Sequence, residues 1–152
     1  MTEKLVRVGF DARYISDRYH GIGRFGYNLL RTMVELETAH ESPSYQFVVF
    51  RGKSHDSRFD WNALSASPLI EFHEGPWPLY YPQEHLQWIH HLRKQQIDVF
   101  FSPYFVAPLF AQCPVIVTVH DLIFEKYPAY MPTPWARFYY RMLMTLSMKK
   151  TT

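Results

Sequence analysis

At 152 residues, 47% of them hydrophobic and 18% aromatic, the chain has the size and apolar content of one folded domain, which argues against disorder. Its 16 basic and 14 acidic residues leave a formal charge of +2 without a clustered basic stripe, a pattern that speaks against a nucleic-acid partner. The single cysteine, Cys113, cannot close an internal disulfide and fits a small buried residue in a reducing, cytoplasmic setting.

The opening MTEKLVRVGF lacks the apolar core and cleavage site of a signal peptide. Within it, residues 5–10 read as a first strand ending at Asp11. A polar and aromatic stretch leads to Gly21 and Gly23, where a helix starts; Ile22, Phe25, Leu29, Met33 and Leu36 recur at three and four and predict its inward face. Residues 45–50 read as a second strand and 69–72 as a third, with a polar stretch between them that gives no clear pattern. Residues 74–82, with Trp77, Tyr80, Tyr81 and three prolines, read as a loop. A helix over 84–96 follows, with Leu86, Ile89 and Leu92 on one side, and then a fourth strand over 99–102.

No formal charge occurs between Asp98 and His120. Pro103, Pro108 and Pro114 would break a spanning helix repeatedly, so the stretch reads instead as strand, loop and strand. Its end, PVIVTVHDL, predicts a fifth strand over 115–119, apolar enough to be covered on both faces. The last helix begins near Pro134 and is expected to turn Phe138, Met142 and Leu146 inward. Strands alternating with helices imply an α/β fold: a Rossmann-like, open, mostly parallel sheet with helices on both faces. In the usual order 3-2-1-4-5 the switch point lies between strands one and four. The loops after strands one, four and five meet there, carrying Gly21, Gly23 and Arg24, then Tyr104 and Phe105, then His120 and Asp121.

Gly21, Gly23 and Gly26 spell G-x-G-x-x-G, but the motif's context is wrong for a nicotinamide or flavin. Ten residues separate Phe10 from Gly21, and no acidic residue ends a second strand at the distance that would hold a ribose. A glycine-rich helix start still exposes N–H groups and the positive dipole end, which suits a phosphate, with Arg24 adding charge or merely facing solvent. His120 can hydrogen-bond a ligand, since neutral imidazole both donates and accepts, or act as a structural strand-end residue. Asp121 reads better as a turn or cap. His85, His90 and His91 lack the spacing and companions of a metal site and read as surface residues. Arg137 and Arg141 with Trp135 allow contact with anionic lipid headgroups, although a solvated helix face is the simpler reading.

Four ordered segments, VGFDARYIS, HGIGRFGYNLL, SPYFVAP and PVIVTVHDLIF with its following YP, resemble the amino-terminal half of retaining glycosyltransferases of the group 1 (family 4) type. The resemblance covers nearly the whole chain. It implies the GT-B architecture, two Rossmann-like domains facing across a cleft, the first holding the acceptor and the second most of the nucleotide sugar. Gly21 and Gly23 would then lie over the donor diphosphate and His120 beside the transferred sugar. No metal or cofactor is implied; the donor is a nucleotide-diphosphate sugar, and the acceptor a saccharide or a lipid-linked saccharide. Residues 1–152 would be the acceptor-side domain, cut short and without its nucleotide-binding companion, inactive alone. Such a chain would leave strand five near an open sheet edge and favour self-association. The alternative is a stand-alone Rossmann-like module that binds an anion or a partner without chemistry.

Overall fold

The computed structural model describes residues 4–16, 20–52, 58–75 and 82–151. Five strands form one parallel sheet in the order β3-β2-β1-β4-β5: β1 Val6–Asp11, β2 Tyr45–Arg51, β3 Ile70–Glu74, β4 Val99–Ser102 and β5 Val115–Val117. β1 lies at the centre, pairing with β2 on one side and β4 on the other. The chain thus winds outward in both directions from one strand, the α/β arrangement that the alternating elements predict.

Alternation along the strands divides the core. Phe47 and Val49 of β2 face α1 (His20–Thr38) and α2 (Trp61–Ser65), together with Val8 and Phe10. Val48 and Phe50 face the other way, onto Trp88 and Leu92 of α3 (Pro82–Lys94) and onto Phe100 and Val115. Helices therefore cover both faces. α2, in the polar stretch without a clear pattern, is capped by Asp60, whose carboxylate accepts from the Ala63 N–H at 3.0 Å.

A third cluster lies at one side of the sheet. Beyond β5 come a short helix, α4 (Ile123–Lys126), a 3-10 turn (Pro128–Tyr130) and the long α5 (Pro134–Lys150). α5 begins with Thr133 as N-cap and Pro134 in its first turn. Tyr140, Leu143 and Met144 pack on Phe105 and Val106 of the β4–β5 loop. Two polar ties fix the helix there: Ala107 N–H donates to Ser147 Oγ at 2.9 Å, and Lys150 Nζ donates to the Ala111 carbonyl at 2.6 Å.

Several expected faces are turned. α1 buries Gly23, Tyr27, Leu30 and Val34, leaving Phe25 and Leu36 exposed. α3 buries His85, Trp88 and Leu92, leaving Leu86 exposed. α5 buries Tyr140, Leu143, Met144 and Ser147, whereas Phe138 and Leu146 point to solvent and Met142 is half-buried. β5 is shorter than residues 115–119 and is not covered on both faces, because Ile116 is 50% exposed. Its sole partner among the described strands is β4, so it lies at the sheet edge. Most of the loop expected over 74–82, with Trp77, Tyr80 and Tyr81, lies outside the described residues. No helix among the described residues is long and apolar enough to cross a membrane.

Candidate functional site

The carboxyl ends of β1, β4 and β5 deliver three loops to one edge of the sheet. Between them lies a cleft of about 330 Å³ lined by Gly21 and Ile22 of α1, Tyr104 and Phe105 after β4, and Val119, His120 and Asp121 after β5. Phe124 of α4 and Tyr140 of α5 complete it. Gly21, Tyr104, Phe105, His120 and Asp121, expected from separate stretches of sequence, are brought together there. Ile22, Val119, Phe124 and Tyr140 add to them. Tyr140 carried a readable signal: it begins a Tyr140, Leu143, Met144, Ser147 stripe at helical spacing.

His120 sits on the rim. Its Nε2 lies 2.8 Å from the Pro103 carbonyl oxygen; a carbonyl only accepts, so Nε2 carries the proton. In the neutral ring Nδ1 is then an acceptor lone pair. The Phe25 ring meets the imidazole edge-on at 5.1 Å between centroids, so the exposed side of Phe25 orients the histidine instead of filling the core. Asp121 caps: its Oδ1 accepts from the Ile123 N–H at 3.0 Å, turning the chain into α4.

Aromatic rings form the wall. Tyr104 lies 4.4 Å from Phe105 and 4.9 Å from Tyr14, and Tyr140 stands edge-on to both Phe105 and Phe124 at 5.2 and 5.5 Å. Such a wall offers apolar faces beside the polar rim of His120, the combination that small-molecule sites use.

The glycine-rich turn divides. Gly21, in the first turn of α1, borders the cleft, and a Cβ placed on it would touch nothing within 4 Å. Gly23 faces the β1–α1 loop, where a Cβ would come within 3.1 Å of the Tyr14 carbonyl oxygen and 3.2 Å of that of Ser16. Arg24 points to a separate depression of about 280 Å³ with Tyr27, Asn28, Arg58 and Phe59. Of the glycine-rich segment, Gly21 and Ile22 reach the cleft.

Behind the site, Asp11 is 1% exposed and is gripped by Arg13, whose Nε and Nη2 donate to its two carboxylate oxygens at 2.8 and 2.7 Å. This bidentate pair consumes the carboxylate that ends β1 and removes it as a partner for Asp121 in any two-carboxylate chemistry. The Arg13 guanidinium lies over the Trp88 ring at 4.9 Å. His85 belongs to the same layer. It is 6% exposed, a buried residue rather than a surface one, and burial first, then the nearby Arg13 charge, push its pKa down from the usual histidine value. Among the described residues no three His, Cys, Asp or Glu side chains are grouped to hold a metal ion.

No protein-family model, curated protein or solved structure matches the chain.

Proposed function

We propose that the chain is the acceptor-side domain of a retaining glycosyltransferase that moves a sugar from a nucleotide-diphosphate sugar to a saccharide or lipid-linked acceptor on the cytoplasmic side of the cell. The observation that carries the reading is the convergence of Gly21, Tyr104, Phe105 and His120 on one cleft at the carboxyl edge of the sheet. An open α/β sheet binds ligands there, at the crevice between its diverging halves.

The chemistry follows from the groups present. Tyr104, half-buried at the cleft, offers a ring face to a sugar, and the buried Phe105 backs it. The first turn of α1 at Gly21 gives backbone N–H groups and the positive dipole end to an anionic diphosphate. His120, with its proton on Nε2 held by Pro103, directs Nδ1 as an acceptor for a sugar hydroxyl; a protonated ring would instead stabilise negative charge as the glycosyl–phosphate bond breaks. The nucleotide itself is assigned to a second domain facing this cleft.

The test is His120→Ala in a protein carrying both domains. Turnover falls by about 100-fold or more while donor affinity changes little, since a group acting on developing charge raises the rate without tightening ground-state binding. Unchanged turnover in a folded variant defeats the assignment and leaves the chain as a Rossmann-like anion- or partner-binding module.

A further inference from the structure

A helix on the side of a domain normally turns a polar face to water. α5 does not. Opposite its buried Tyr140, Leu143 and Met144, the outward side carries Trp135, Phe138 and Leu146, with the half-buried Met142 between them and Trp135 at 72% and Phe138 at 57% exposure. These outward residues follow one another at three and four, so they form one stripe along the axis. Trp135 and Phe138 stack on each other at 5.4 Å. A shallow groove of about 520 Å³ runs between Phe138, Met142 and Leu146 and the arginines Arg137 and Arg141.

The neighbouring turn carries a second apolar pair. Arg137 Nη2 donates to the Pro128 carbonyl at 2.9 Å, tying α5 to the Pro128–Tyr130 turn, where Tyr127 and Tyr130 form a second exposed stacked pair at 5.7 Å. Of sixteen large apolar side chains exposed among the described residues, eight lie after His120, four of them in these two stacked pairs.

Charge selects the occupant. Five of the chain's 16 basic residues but only two of its 14 acidic ones lie after His120, so this region carries a net +3 and the remainder −1. A second copy seated on the same stripe would press this excess of positive charge, which includes Arg141 with its exposed Glu125 partner at 3.8 Å, against an equally positive surface, and that disfavours such a pair. Amphipathic rings interleaved with Arg and Lys instead match the boundary of an anionic bilayer, where indole and phenol rings settle at headgroup depth and cations meet lipid phosphates.

We propose that the outward face of α5 and the adjoining Pro128–Tyr130 turn form a peripheral docking surface for an anionic phospholipid membrane. It is independent of whether the cleft transfers sugar. The test is co-sedimentation of the chain with vesicles of phosphatidylcholine alone and of phosphatidylcholine with about one-third phosphatidylglycerol. Binding is at least about tenfold stronger to the anionic vesicles and weakens as salt rises. Trp135→Ser/Phe138→Ser lowers it about tenfold and Arg141→Gln about fivefold. Equal binding to both vesicle types, or no binding to the anionic ones, overturns the proposal. So does dimerisation in light scattering that the Trp135→Ser/Phe138→Ser variant abolishes, which would assign the stripe to a second copy.

Discussion

Two glycines, two positions apart in α1, face different surroundings. A side chain on Gly23 presses on the backbone of Tyr14 and Ser16, which cannot swing aside as a flexible side chain does. Gly23→Ala is expected to cost about 1–3 kcal/mol. Gly21→Ala, with open space around the new methyl, leaves stability unchanged or raises it by up to about 1 kcal/mol. Urea denaturation of the two variants separates them, and equal losses would refute the distinction. Ligand loss on substituting Gly23 arrives mixed with a folding defect, so Gly21 is the sharper probe of the cleft. His85 makes a different prediction. Its folded pKa lies below the ordinary value, so the unfolded chain takes up a proton near pH 6.5 that the folded chain still refuses. Its contribution to stability is therefore complete above about pH 6.5 and is lost as the pH falls below that. The fall in Tm between about pH 7 and 5 should be shallower in His85→Gln than in wild type; parallel profiles would rule His85 out.

At the scale of elements, each long helix offers two apolar stripes, and sequence periodicity does not say which one the sheet takes. In α1 the series Ile22, Phe25, Leu29, Met33 competes with Tyr27, Leu30, Val34, and the second is buried. In α3 Leu86 and Ile89 compete with His85 and Trp88, and the bulk of the indole prevails, carrying the histidine inward with it. For α5 the choice is directly measurable. Leu143→Ala, at a buried position, should destabilise by about 2–5 kcal/mol, and Phe138→Ser, on the exposed stripe, by no more than about 0.5 kcal/mol. Chemical denaturation checks both, and the reverse ranking would mean that the helix is rotated. What sequence conveyed well was where helices begin: the Pro134 start and the glycine-rich start of α1 are local chain chemistry, whereas facing depends on partners distant in sequence.

At the scale of the molecule, strand count, order and parallel direction were legible because apolar runs alternating with helices leave few right-handed, unknotted ways to build a sheet. The meeting of Gly21, Tyr104 and His120 followed from that order alone. The buried Asp11–Arg13 pair did not, since sequence showed two charged residues after a strand and nothing about their mutual grip. Nor was the half-exposed state of β5 legible: a run of valine and isoleucine looks the same at the middle of a sheet and at its edge. That edge has a kinetic consequence. Thr118 N–H donates to Ser102, and the Pro114 carbonyl accepts from Phe100, so even-numbered positions of this segment address β4. Successive backbone groups of a strand point to opposite sides, and the amides of Val115 and Val117 turn away from β4, where no described strand meets them. Deuterium exchange should thus differ sharply between adjacent peptide groups, slow at Ile116 and Thr118 and fast at Val117, with Val115, 1% exposed, shielded by burial alone. Along β1, flanked by β2 and β4, protection from Val8 to Phe10 should show no such alternation.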